Sequence, residues 1–164
     1  MLSSSNDRHA VLVVGIGNEI RRDDAVGLVV AAQVKGRLSS TDRVTVKQLS
    51  AGGWQLFHEM EGYDRLIVVD AFLTDSRCEG RLRVHRPSDL LPVQEVSAAA
   101  AHLLSIPDAI ALSKRYGYHT PTLVGIVTID VGKSCLVFGT GLAPKVAAAV
   151  PGAVDAVMEL IKSA

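Results

Sequence analysis

The stretch VLVVGIGNEIRRDDAVGL, Val11 to Leu28, decides the fold. Ala10–Val14 is a continuous, β-branched apolar run, the pattern of a strand covered on both faces. Two glycines follow, then Asp23 and Asp24 side by side where a second apolar pattern begins. From Asp24 to Leu38, apolar residues recur at Val26, Val29, Val30, Ala32 and Val34, with Lys35 and Arg37 late, which predicts a helix whose basic end meets its carboxyl terminus.

Working outward, strands and helices alternate. Val44–Leu49 reads as a second strand, GGWQLFHEM as a second helix, and Leu66–Asp70, LIVVD, as a third buried strand closed by an acid. Gly80–His85 alternates Leu82 and Val84 with charged neighbours and reads as an edge or antiparallel strand. RPSDLLPVQEVS is a loop broken by Pro87 and Pro92, and Ala98–Tyr116 is helical, with Pro107 near a first turn or a break. Thr122–Ile129 is a further strand, DVGKSCLVFGTG a loop with a short strand piece, and Ala143–Ile161 a long apolar-striped helix. This alternation predicts a three-layer α/β sandwich: a mostly parallel sheet with one antiparallel or edge strand and helices on both faces. In such sheets ligands meet the carboxyl ends of the strands, which places Gly15–Asp24, Asp70–Leu73 and the loop after Ile129 on one rim.

The 164 residues suit a single α/β domain, with residues 1–9 as a polar, flexible tail. Hydrophobic residues make up 48% and charged residues 21%, and Lys plus Arg balances Asp plus Glu at 17 each. With no basic field, nucleic acid is not an expected partner. No apolar run is long enough to span a bilayer and the first ten residues carry no apolar core, so a cytoplasmic protein without membrane insertion is expected, and a monomer. Cys78 and Cys135 lie far apart, in no metal-ligand spacing, and are expected to be reduced.

The glycines first suggest a dinucleotide. That fingerprint needs Gly or Ala where Ile20 stands and an acid after the second strand, where Leu49, Ser50 and Ala51 stand. Gly15 and Gly17 therefore read as a tight turn, with Asn18 closing it through its side chain. The acids have a bland reading too, as caps of the helix that follows. That reading does not reach Asp70. Asp24 and Asp70 face one another if the first and third strands are neighbours, and such a pair calls for a proton or a cation. Carboxylates alone suit magnesium or calcium, and an added imidazole favours nickel or zinc. Of the five histidines, His102 stands at the start of the apolar helix HLLSIPDAIAL. No Ser-His-Asp, Cys-His or H-E-x-x-H arrangement is legible.

GIGNEIRRDDAVGL, VVDA, HLLSIPDAIAL, TLVGI and GLAPKVAAAVPGAVDAV, in this order from about Val11 to Ile161, resemble the [NiFe]-hydrogenase maturation endopeptidases. The resemblance implies an α/β protease that trims a carboxyl-terminal extension from the hydrogenase large-subunit precursor once nickel is installed. It implies that Asp24, Asp70 and His102 contact the nickel, which the substrate supplies, so that the free enzyme is metal-free. Asp24 and Asp70 are then the catalytic acids of an aspartic-type endopeptidase, with Asp23 the alternative general base. Asn18, Gly52 and Gly53 are the expected substrate contacts. Trp54, the sole tryptophan, packs half-buried or grips the extension, and Arg21 and Arg22 are solvated or meet a carboxylate of the substrate.

This chain departs from the family pattern in places. The first-motif acid is the shorter Asp, Ala25 replaces a common Gly, SAGGWQLF stands where G-G-T-x-G is common, and LLSIPDA follows His102 instead of Q-x-G. These departures mark a divergent subgroup serving a particular hydrogenase isoform. Two other readings use the same acids: a receiver-like, magnesium-binding phosphoacceptor domain, and a non-catalytic module that holds metal or precursor without cutting it.

Overall fold

The computed structural model describes residues 11–50, 53–74, 79–89, 106, 109–111, 113–133 and 137–164, with residues 53 and 54 by backbone only. The tail, Gly52, His102 and both cysteines lie outside the described residues.

Strands β1 (Val11–Ile16), β2 (Val44–Leu49), β3 (Arg65–Leu73), β4 (Leu82–His85) and β5 (Thr122–Val131) form one sheet in the order β2-β1-β3-β5-β4. All pairings are parallel except that of β4, which runs antiparallel on the outer side of β5. All six residues of β1 are buried, as a continuous apolar run in the sheet's interior requires. Helices α1 (Val26–Arg37), α2 (Gly53–Glu59), α3 (described at 106, 109–111 and 113–115) and α4 (Pro144–Ser163) cover the sheet. The period-2 alternation of the strands sorts the core into two layers. Val11, Val13, Ile67, Val69, Val127 and Ile129 face α1 and α4, where Val30, Val34, Val150 and Val154 meet them. Leu12, Val14, Leu66, Val68 and Ile126 face α2 and α3, against Leu56, Ile106 and Ala109. The three-layer sandwich with one antiparallel edge strand is thus present. It is not the all-parallel 2-1-3-4-5 sheet of receiver domains.

Several expectations are corrected. Gly15 does not turn the chain. It sits within β1, and a Cβ there would lie 2.3 Å from the Gly27 carbonyl oxygen and 2.6 Å from Ala31 Cβ. Strand and helix approach so closely that neither face tolerates a side chain. The first helix begins later than predicted: Arg22–Ala25 is a separate 3-10 turn, and α1 starts at Val26 with Ala25 before it. β3 continues three residues past Asp70, so the acid lies inside the strand and not at its end. β5 likewise runs on through Asp130 to Val131, because Asp130 N–H donates to Arg81 O at 2.9 Å and Gly80 N–H to Asp130 O at 2.8 Å. Pro87–Asp89 forms one 3-10 turn in the segment read as loop.

Candidate active site

β1 ends at Ile16 while its neighbour β3 runs on. The last pairing between them is Gly15 with Val69, so Asp70 occupies the first position of β3 that β1 no longer flanks. The loop leaving β1 returns at once. Gly17 N–H donates to Leu49 O at 3.1 Å, which commits that amide to the sheet, and a Cβ on Gly17 would lie 2.1 Å from Asp24 O. Asn18 Oδ1 accepts the Ile20 N–H at 3.1 Å, closing the turn through its side chain as its sequence position suggested. The loop is then stitched to the segment before α4. Arg22 N–H donates to Gly139 O at 3.0 Å, and Gly139 N–H to Ile20 O at 2.9 Å. Arg22 itself has φ +47°, a left-handed conformation uncommon outside glycine.

This frame separates the adjacent acids. The residue at the cap position of α1 is Ala25, not either acid. Asp23 is wholly buried, and its Oδ1 accepts the N–H of Ala143, the residue preceding α4, at 2.6 Å. Asp24 is half-buried and lies close enough for its charge to act on Asp70. Asp70 is 1% exposed. Its Oδ1 accepts the N–H of Ala71 at 2.8 Å, and its Oδ2 has no partner among the described residues. Burial pushes the Asp70 carboxyl well above the usual carboxylate range, the Ala71 N–H opposes this, and the negative charge of Asp24 adds to it. A buried carboxyl with one open oxygen and a second acid beside it is a place for a cation or a proton.

Asp24 and Asp70 are therefore brought together as the strand order predicted. Gly53 opens α2, whereas Gly52 and His102 lie outside the described residues. No group of three or more His, Cys, Asp or Glu side chains able to hold a metal occurs among the described residues.

Sequence reasoning missed a polar row beside Asp70. On β5, Thr128 pairs with Asp70 in register and Asp130 with Phe72, and both Thr128 and Asp130 are wholly buried. From the edge strand, Arg83 Nη2 lies 2.6 Å from Asp130 Oδ2, and His85 Nε2 lies 3.0 Å from Thr128 Oγ1. Burial and then the neighbouring Arg83 cation hold His85 below its usual pKa. The signal that could have found this row is the spacing of Arg83 and His85, which puts two polar side chains on one face of an edge strand.

A model of the hydrogenase maturation protease family matches residues 28–160, a span that begins just past Asp24 and includes positions 70 and 102. The hydrogenase 2 maturation protease of Escherichia coli K12 is 24% identical over 154 residues, covering 93% of this chain and 90% of that protein. The solved endopeptidase HybD of E. coli superposes with a TM-score of 0.69 at 24% identity, over 94% of this chain and 93% of that one. The [NiFe] hydrogenase maturation protease HybD of Thermococcus kodakarensis gives 0.66 at 22% identity, over 93% and 99%. With a matching family model over most of its length and the same fold as these solved proteases, the chain belongs to the hydrogenase maturation proteases.

Proposed function

We propose that this protease removes the carboxyl-terminal extension of a [NiFe]-hydrogenase large-subunit precursor after nickel insertion, and that it reads the substrate's nickel. The observation that carries this reading is Asp70: buried, with an unpartnered Oδ2, and beside Asp24 at the open end of β1. An acid so placed has its charge stabilised only when a cation arrives. Nickel carried by the precursor is that cation, and His102 adds the imidazole that favours nickel over a hard ion. A precursor without nickel brings no cation to this acid pair and is not held. The enzyme thereby acts as a checkpoint, and it needs no metal of its own. Asn18, Gly52 and Gly53 serve as substrate contacts in this reading. Asp23 is committed to the Ala143 amide, so the carboxylate that takes a proton from the attacking water is Asp24. The protein works as a monomer in the cytoplasm. No described helix is long and apolar enough to cross a membrane.

The test is a processing assay on nickel-loaded and nickel-free precursor, with the wild-type chain and with His102→Ala. Cleavage only in the nickel-loaded, wild-type reaction is expected. No cleavage of a properly loaded cognate precursor would replace this reading by a module that holds the precursor without cutting it.

A further inference from the structure

Among the described residues, the buried side-chain atoms without a hydrogen-bond partner are two carboxylate oxygens, Asp70 Oδ2 and Asp130 Oδ1. They stand on neighbouring strands and on the same face of the sheet, two register positions apart. The substrate's nickel answers the first of them. It leaves the second.

Asp130 has its charge met by Arg83 from β4, yet the contact is lopsided. Arg83 Nη2 at 2.6 Å and Nε at 3.2 Å both reach Oδ2. A structural Arg–carboxylate pair favours the fork, one nitrogen on each oxygen. Here Oδ1 keeps its lone pairs without a donor in a wholly buried side chain, a deficit that a ligand's donor would recover. The pair also connects inside to outside: the Asp130 side chain is 0% exposed and that of Arg83 is 33% exposed, with its guanidinium 5.4 Å from the Phe72 ring centre.

We propose that Asp130 is a substrate-binding group, held in place by Arg83 as its positioning residue, and that Oδ1 accepts a backbone N–H of the precursor segment lying beside Asp70. This rests on the protease reading above. The donor is a neutral amide and not a second cation because Arg83 already neutralises Asp130. An extended polypeptide offers unpaired N–H groups along its edge, whereas a bare metal ion would have to compete with the guanidinium.

The decisive variant replaces the pair by apolar groups, Arg83→Met with Asp130→Leu. Exchanging a buried ion pair for apolar residues of similar volume is often neutral or stabilising. The expected result is a melting temperature at or above the wild-type value, a KM for nickel-loaded precursor raised tenfold or more, and a smaller change in kcat. A stable double variant with the wild-type KM would overturn the proposal and leave the pair a structural one. Should the double variant fail to fold, Asp130→Asn decides by the same comparison, since it keeps the volume but presents an N–H where an acceptor is needed. Equilibrium binding of the uncut precursor requires no cleavage and separates the two readings. If the wild-type chain binds precursor without cutting it, the protease reading fails, while tenfold weaker binding by the double variant still supports Asp130. Equal binding by the two overturns it. Calorimetry with Ni2+ alone supplies the last outcome: a loss of nickel affinity in the double variant with precursor affinity unchanged would assign Asp130 to a cation site instead.

Discussion

Asp23 and Asp70 are equally shut away from solvent, one in the loop after β1 and the other within β3. Asp23 has a backbone N–H from Ala143 at 2.6 Å, brought in from the far side of the chain. Among the described residues, Asp70 accepts only the N–H of its own neighbour, Ala71, and its other oxygen has no partner. Burial alone does not distinguish a structural acid from a working one. Hydrogen-bond satisfaction is the difference the proposed mechanism draws on: Asp23 joins the loop to the segment before α4, and Asp70 has one oxygen that no described residue meets.

Asp70→Asn breaks the comparison most severely. It should abolish precursor processing while raising stability, because the amide carries no charge to desolvate. Burial raises the folded-state pKa of Asp70 above the unfolded value. Between those two values the folded chain holds a proton that the unfolded chain has lost, so wild-type stability falls as pH rises through that window. The stability advantage of the variant should therefore grow from about pH 4 upward, reaching about 1–3 kcal/mol, with roughly 2–4 °C in melting temperature for each kcal/mol. Thermal scans across pH check this, and an advantage that shrinks as pH rises would contradict it.

Gly27→Ala tests whether the two acids depend on close packing. A Cβ at Gly27 would lie 2.2 Å from Ile16 O and 2.6 Å from Val69 O, backbone atoms that cannot rotate aside. Val69 precedes Asp70 and Gly27 follows Asp24 by one helical turn, so the added methyl separates the two. A loss of about 1–3 kcal/mol together with a fall in processing is expected. Asp23→Ala should cost a similar or smaller amount, about 1–3 kcal/mol by denaturant melts, from the stranded Ala143 N–H. Its folded fraction should still process precursor within tenfold of wild type. A loss as deep as that of Asp70→Asn would make Asp23 the general base. The smallest effect, and of opposite sign, belongs to Gly36 in the same helix as Gly27. Nothing lies within 4 Å of its missing Cβ, so Gly36→Ala should stabilise by about 0.5–1 kcal/mol.

Much of this architecture is legible in the sequence. Continuous apolar runs announce β1, β3 and β5, and the alternation of Leu82 and Val84 announces an edge strand. Asp70 stands out because an acid interrupts the run Leu66–Val69. Asp130 did not, because an acid after Ile129 reads as the start of a loop. Its pairing with Phe72 on β3 and its backbone bonds to Gly80 and Arg81 keep it in the strand. The partner of Asp23 was invisible for the same reason. It lies 120 positions along the chain, and local propensity carries no information about contacts of that range. The role of Gly15 was misread because a glycine spared for a helix passing overhead looks, in sequence, like a glycine spared for a turn.

The stitching of the first loop to Gly139 and Ala143 also bears on when the enzyme comes into being. The loop that carries Asp24 is fixed by partners that are synthesised more than a hundred residues later. A growing chain can lay β1 beside β2 and β3 early, but closing so long a loop is entropically costly and comes late. A partly translated chain therefore has its buried acid on β3 before it has a second acid fixed opposite. The geometry of the acidic loop is therefore set only when the segment before α4 arrives.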